Sequence, residues 1–157
     1  MILALLLAGC GNGDKMPSDE KVGAHFEANK VLLKRMAAEC EAHPLLSHVQ
    51  PEQELIGFEQ NTPVAEADRE VVRRLQGELE AVSLSDMYCG RDPSAPGSPL
   101  VYASFNLHVE SALPAGRGKE IVYYPPTRSS KVSAFLASPH GPRPLSEQGW
   151  YVYEFQK

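Results

Sequence analysis

Five histidines, three cysteines and a short acidic run are the groups in this chain whose types suit chemistry. The histidines fall at His25, His43, His48, His108 and His140, and no two stand at a spacing typical of zinc ligands. Glu52, Glu54 and Glu59 are close enough in sequence to offer an acid–base pair. They lie in a stretch without hydrophobic periodicity, however, where carboxylates are simply solvated. Ser18-x-x-Lys21 has the spacing of a serine nucleophile beside a lysine base, but the Ser-Asp-Asn and Lys-Thr-Gly elements that complete such a site are absent. Ser18 reads better as a helix N-cap, and no Gly-x-Ser-x-Gly elbow occurs. The expectation is therefore a protein that is not an enzyme and requires no metal or cofactor.

The cysteines carry a different chemistry. Ile2 to Ala8 form an unbroken apolar run that ends in Gly9, Cys10, Gly11, Asn12, Gly13 and Asp14. A spanning helix needs about 20 apolar residues, so this run is too short to cross a bilayer. Its length and its small residues at the end match the apolar region of an export signal. Leu7-Ala8-Gly9-Cys10 resembles the lipobox of bacterial lipoproteins, in which the cysteine is acylated and the peptide before it removed. That resemblance divides the chain into a signal (1–9), a lipidated tether (10–17) and one domain (18–157). It implies a membrane partner held through lipid on Cys10. Acyl chains contribute about 0.8 kcal/mol per buried methylene, so several together anchor stably. Gly11 to Pro17 would then hold the domain within roughly 23 Å of the membrane. Gly11, where inner-membrane lipoproteins carry Asp, implies the outer membrane, with the domain facing the periplasm.

With Cys10 carrying lipid, Cys40 and Cys89 remain as an even pair in an oxidising compartment, and a disulfide between them is expected. It would close a loop of about 50 residues and stabilise the fold by roughly 4 kcal/mol.

The elements that must position these groups follow from periodicity. Ser18-Asp19-Glu20 opens a helix with a cap and two acids in the first turn. Val22, Phe26, Leu33, Met36, Ala37 and Cys40 recur on one face until His43-Pro44 stops it near Ala42. Leu45 to Asn61 read as loop. Thr62-Pro63 signals a second helix, with Val64, Val71, Val72, Leu75, Leu79 and Val82 facing in. Glu66, Arg69, Glu70, Arg73, Arg74 and Glu78 would form its solvated face. Nine of the 13 prolines lie beyond residue 90, and there the apolar period becomes two. Val101 to Glu110 predicts a long half-buried strand. Further strands are expected over Glu120–Tyr124, Lys131–Ala137 and Gly149–Phe155, with another at Leu84–Cys89. Pro114 to Gly118 supplies a hairpin connection. The fold class is α+β: two N-terminal helices packed on an antiparallel meander sheet of four to five strands.

With 157 residues, 15 Lys+Arg against 20 Asp+Glu and a net charge of −5, the chain lacks the basic footprint that phosphate binding needs. No nucleic-acid partner is expected. The outward face of the long strand presents Tyr102, Ser104, Asn106 and His108, a composition typical of contact surfaces. The proline-bearing loops Asp92–Pro99 and Ser138–Pro144 are a second candidate. Trp150, Tyr151, Tyr153 and Phe155 alternate, with one side in the core and the other partly exposed. Together with the Asp19-Glu20 opening leading to Phe26 and the Trp150-Tyr151-Val152-Tyr153 strand, the lipobox makes the chain similar to the small uncharacterised lipoproteins of proteobacteria. That set shares no agreed activity. Two functions are expected in turn: a non-catalytic tethered module that binds an envelope partner, or a periplasmic immunity or inhibitor protein. The second would offer Glu52, Glu54 and Glu59 to the basic active site of a toxin or cell-wall hydrolase.

Overall fold

Ser18 Oγ accepts a hydrogen bond from the Lys21 backbone at 3.4 Å, and helix α1 (Asp19–Ala42) starts there as its cap requires. The computed structural model describes residues 16–51, 65–92, 94, 95, 97–110, 117–126 and 129–156. The six apolar residues of the α1 stripe are all buried, and the helix stops at His43. Orphan carbonyls at its C-terminal end are gathered by Arg91, whose guanidinium donates to the backbone oxygens of Cys40, His43 and Leu46.

Helix α2 (Glu66–Ala81) begins three residues later than the Thr62-Pro63 signal predicts, with Ala65 at the N-cap and no side-chain cap. Val72, Leu75 and Leu79 face the core as expected. Glu78 corrects the charge pattern: it is only 8% exposed and accepts from Arg35 of α1 at 2.6 Å. Arg74 reaches Glu39 of α1 in the same way, so one edge of the supposed solvated face bolts the two helices together.

The sheet has six strands, not four to five: β1 (His48–Val49), β2 (Asp86–Gly90), β3 (Tyr102–Glu110), β4 (Arg117–Tyr123), β5 (Arg143–Pro144) and β6 (Trp150–Gln156). Their order is β1-β2-β3-β4-β6-β5, antiparallel throughout. The two additional strands at the edges are two residues long, too short for alternation to announce them, and Pro144 is tolerated because β5 lies at an edge. The segment expected as a strand over Lys131–Ala137 is instead helix α3 (Ser130–Leu136). Ser129 caps it by accepting from the Val132 backbone at 3.3 Å, and β4 pairs directly with β6, so no strand stands between them.

Met87, Cys89, Ala103, Phe105, Ile121, Trp150 and Val152 form one face of the sheet, buried with the α1 and α2 stripes. Trp150 is the centre of this core, with its ring centroid 5.0 Å from Tyr123, 5.2 Å from Phe26 and 5.9 Å from Phe105. Cys40 and Cys89 form the expected disulfide, tying the last turn of α1 to β2 across a separation of 49 residues. At the other end of α1, Asp19 pairs with Lys119 of β4 and Arg143 of β5, each at 2.6 Å. A carboxylate there also suits the positive end of the helix.

Candidate functional site

The opposite face of the sheet lines a hollow. Because side chains alternate along a strand, each core-facing residue has neighbours pointing the other way. The registers assemble these into cross-strand rows. Gly90 stands beside Tyr102; His48, Tyr88, Ser104, Val122 and Tyr151 form the next row; Asp86, Asn106, Glu120 and Tyr153 the third. All of these but Gly90 and Tyr151 line a cavity of about 660 Å³. That lies in the ordinary range for small-molecule sites, roughly 300–1,000 Å³.

Six aromatic rings wall it: Tyr88, Tyr102, Tyr124, Phe135, Tyr153 and Phe155. Tyr88 stacks on Tyr102 with centroids 6.4 Å apart, and Tyr102 meets Tyr124 at 6.0 Å. This ladder depends on Gly90. A Cβ at that position would lie 2.2 Å from the Tyr102 ring, so only glycine lets the ring lie across β2. From the third side Phe135 of α3 meets Tyr153 edge-on at 5.8 Å. An exposed helix with no fully buried residue thus contributes one wall of the cavity.

The charged lining is acidic. Asp86 and Glu120 bring two carboxylates, and no lysine or arginine among the described residues lines the cavity. Asn106 donates through Nδ2 to Asp86, while its Oδ1 is buried and accepts no hydrogen bond among the described residues. His48 Nε2 lies 3.7 Å from Asp86 Oδ1. Burial, with the Glu120 charge added, pushes the Tyr124 hydroxyl up to about 12. The same two causes, followed by Tyr88, raise Tyr102. Both phenols therefore stay protonated near neutral pH and serve as hydrogen-bond donors on an apolar ring.

Three of the four residues expected on the contact face come together here. Tyr102, Ser104 and Asn106 line the cavity, and Ser104 is only 4% exposed rather than presented to solvent. The pairing changes at His108. The register shifts between Asn106 and His108, and His108 pairs with Lys119. The rest of the site, Asp86, Tyr88, Glu120 and Tyr124, was not singled out in advance. The Asp86, Tyr88, Gly90 alternation on β2 carried that signal. Cys10, with the lipobox, and Glu52, Glu54 and Glu59 lie outside the described residues. The loop at 138–144 shapes only a shallow depression near Arg143 and Tyr153.

Among the described residues, no group of three or more His, Cys, Asp or Glu side chains converges as a metal site, and no helix is long and apolar enough to cross a membrane. The chain matches no protein-family model, and neither a curated protein nor a solved structure is detectably similar to it.

Proposed function

We propose that this chain is a non-catalytic binding protein, tethered to the outer membrane through lipid on Cys10, which captures its ligand in the cavity on the open face of the sheet. One observation carries the binding role: a cavity of about 660 Å³ walled by six aromatic rings and lined with polar groups that include two carboxylates. Aromatic rings give a large contact area at low ordering cost, and a few placed polar groups give orientation. The nearest approach to a catalytic pair within it is His48 beside Asp86, and Ser104 stands two strands from His48, too far for its hydroxyl to be activated. The anchoring half rests on Leu7-Ala8-Gly9-Cys10 and is supported by the disulfide between Cys40 and Cys89, a bond that persists in oxidising compartments.

Amide NMR of the full chain against a panel of small neutral, cationic and anionic fragments tests the binding role. Shifts clustered on Tyr88, Ser104, Asn106, Glu120 and Tyr124 are expected. Shifts absent, or scattered over α1 and α2, contradict it. Labelled palmitate should enter the wild-type chain in bacteria and not Cys10→Ser; incorporation into both would remove the anchor.

A further inference from the structure

Ser104 and Tyr124 bring two buried hydroxyls to the open face. Ser104 stands on β3 between Tyr88 of β2 and Val122 of β4, lines the cavity and is 4% exposed. Tyr124, just past the end of β4, lines the same cavity and is 9% exposed. Neither side chain makes a hydrogen bond among the described residues. Polar groups buried to this degree are ordinarily satisfied, because an unmet hydroxyl forfeits the hydrogen bonds it made in water. Each therefore points to a guest that supplies the bond. Asp86, by contrast, already accepts from Asn106 and Ser85 with His48 beside it, so the guest is read from the hydroxyls and not from the acidic lining.

The rings restrict what that guest is. Tyr88, Tyr102, Tyr124 and Tyr151 form a ladder with successive centroids 6.4, 6.0 and 5.8 Å apart, at interplanar angles of 27°, 45° and 78°. A flat aromatic held between two parallel faces needs about 7 Å between them, so no neighbouring pair in the ladder opens a slot for one. The ladder offers instead a carpet of ring faces and edges, which attracts polarised C–H groups. A peptide is disfavoured on other grounds. Peptides extend a sheet along its edge, whereas Ser104 stands on a central strand paired on both sides.

We infer that the cavity takes a saccharide ring, one C–H face laid against the tyrosine ladder and its hydroxyls exchanging hydrogen bonds with Ser104 and Tyr124. This rests on the binding role proposed above and specifies its ligand class. A sugar hydroxyl both donates and accepts, as do the serine and phenol hydroxyls that face it. An apolar ring of the same size covers the tyrosines equally well but leaves the buried hydroxyls unmet.

NMR titration of the full chain tests this with the methyl glycosides of glucose, galactose, mannose and N-acetylglucosamine, set against cyclohexanol, phenol and a blocked alanine dipeptide. The best glycoside should bind at least about tenfold more tightly than cyclohexanol, a ring of similar size with one hydroxyl. Ser104→Ala and Tyr124→Phe should each weaken that glycoside about three- to tenfold and leave cyclohexanol unchanged. Neither should lower the melting temperature of the free chain at neutral pH, because neither hydroxyl is bonded there. A drop in both would show the hydroxyls to be bonded within the fold, and overturns the inference. Glycoside affinity unchanged in both variants overturns it too. Cyclohexanol, phenol or the dipeptide binding as tightly as every glycoside would exclude the saccharide while leaving the cavity a binding site. Silence of the cavity to every probe and every fragment would remove the binding role as well.

Discussion

On the helix side of the sheet, Met87, Phe105, Ile121 and Trp150 are sealed beneath α1 and α2. One residue along each strand, on the other side, stand Tyr88, Asn106, Glu120 and Tyr151, where α3 contributes a wall through Phe135. Identical strands thus supply a dry, interlocked layer and a hollow of rings and acceptors. The contrast is sharpest at Tyr123 and Tyr124, adjacent in sequence. Tyr123 packs on Trp150 and donates to Glu41 of α1 at 3.3 Å. Tyr124 joins Tyr102 and Tyr151 on the other face. Stability belongs to the first side, and the second is arranged for something else.

Substitutions should divide along that line. Trp150→Ala removes the centre of the core and is expected to cost about 3–5 kcal/mol in chemical denaturation. A variant losing less than 1 kcal/mol would show the helix side to be loosely packed. Cys40→Ala with Cys89→Ala frees α1 from β2 and should cost roughly 4 kcal/mol by the same measurement. The ligand hollow should persist at temperatures where that variant stays folded, because the Tyr88, Ser104, Asn106 and Glu120 registers do not require the bond.

Gly90→Ala acts on the other side. Its methyl group would collide with the Tyr102 ring, and overpacking of this kind costs about 1–3 kcal/mol. Nuclear Overhauser contacts between Tyr102 and Tyr88 should disappear with it. Retention of those contacts would mean the ring does not need the glycine.

The smallest effect concerns pH. Burial raises Tyr124 to about 12 in the fold, against an ordinary value near 10. The folded chain therefore keeps a proton that the unfolded chain loses. This contribution is complete below pH 10 and is lost as pH rises towards 12. Tyr124→Phe should flatten the fall of the melting temperature across that window, and an unchanged slope would count against a buried phenol.

Much of the helix side was legible in the sequence. Helix α1 is long enough for six apolar residues to declare its face and for Ser18 and His43-Pro44 to mark its ends. The pairing of Cys40 with Cys89 followed once Cys10 was assigned elsewhere. Seven residues of α3 were too few to separate a period of two from one of 3.6, so Lys131–Ala137 read as a strand. Alternation does not register the bulge between Asn106 and His108, and Glu78 was misplaced because charge pattern alone does not reveal Arg35 opposite it. The cavity was legible along β3 and, through the alternation of Tyr153 and Phe155, in part along β6. Tyr102, Ser104 and Asn106 share one strand, whereas Asp86 and Glu120 join them through strand order and register, which are properties of the fold.

The division between the two faces is tested most directly by ring-labelled tyrosine NMR of the full chain during titration with a cavity ligand. The Tyr88, Tyr102 and Tyr124 ring signals should move together along one saturation curve while Tyr123 stays fixed. Movement of Tyr123 with Tyr124 unmoved would place binding on the helix side and contradict the account.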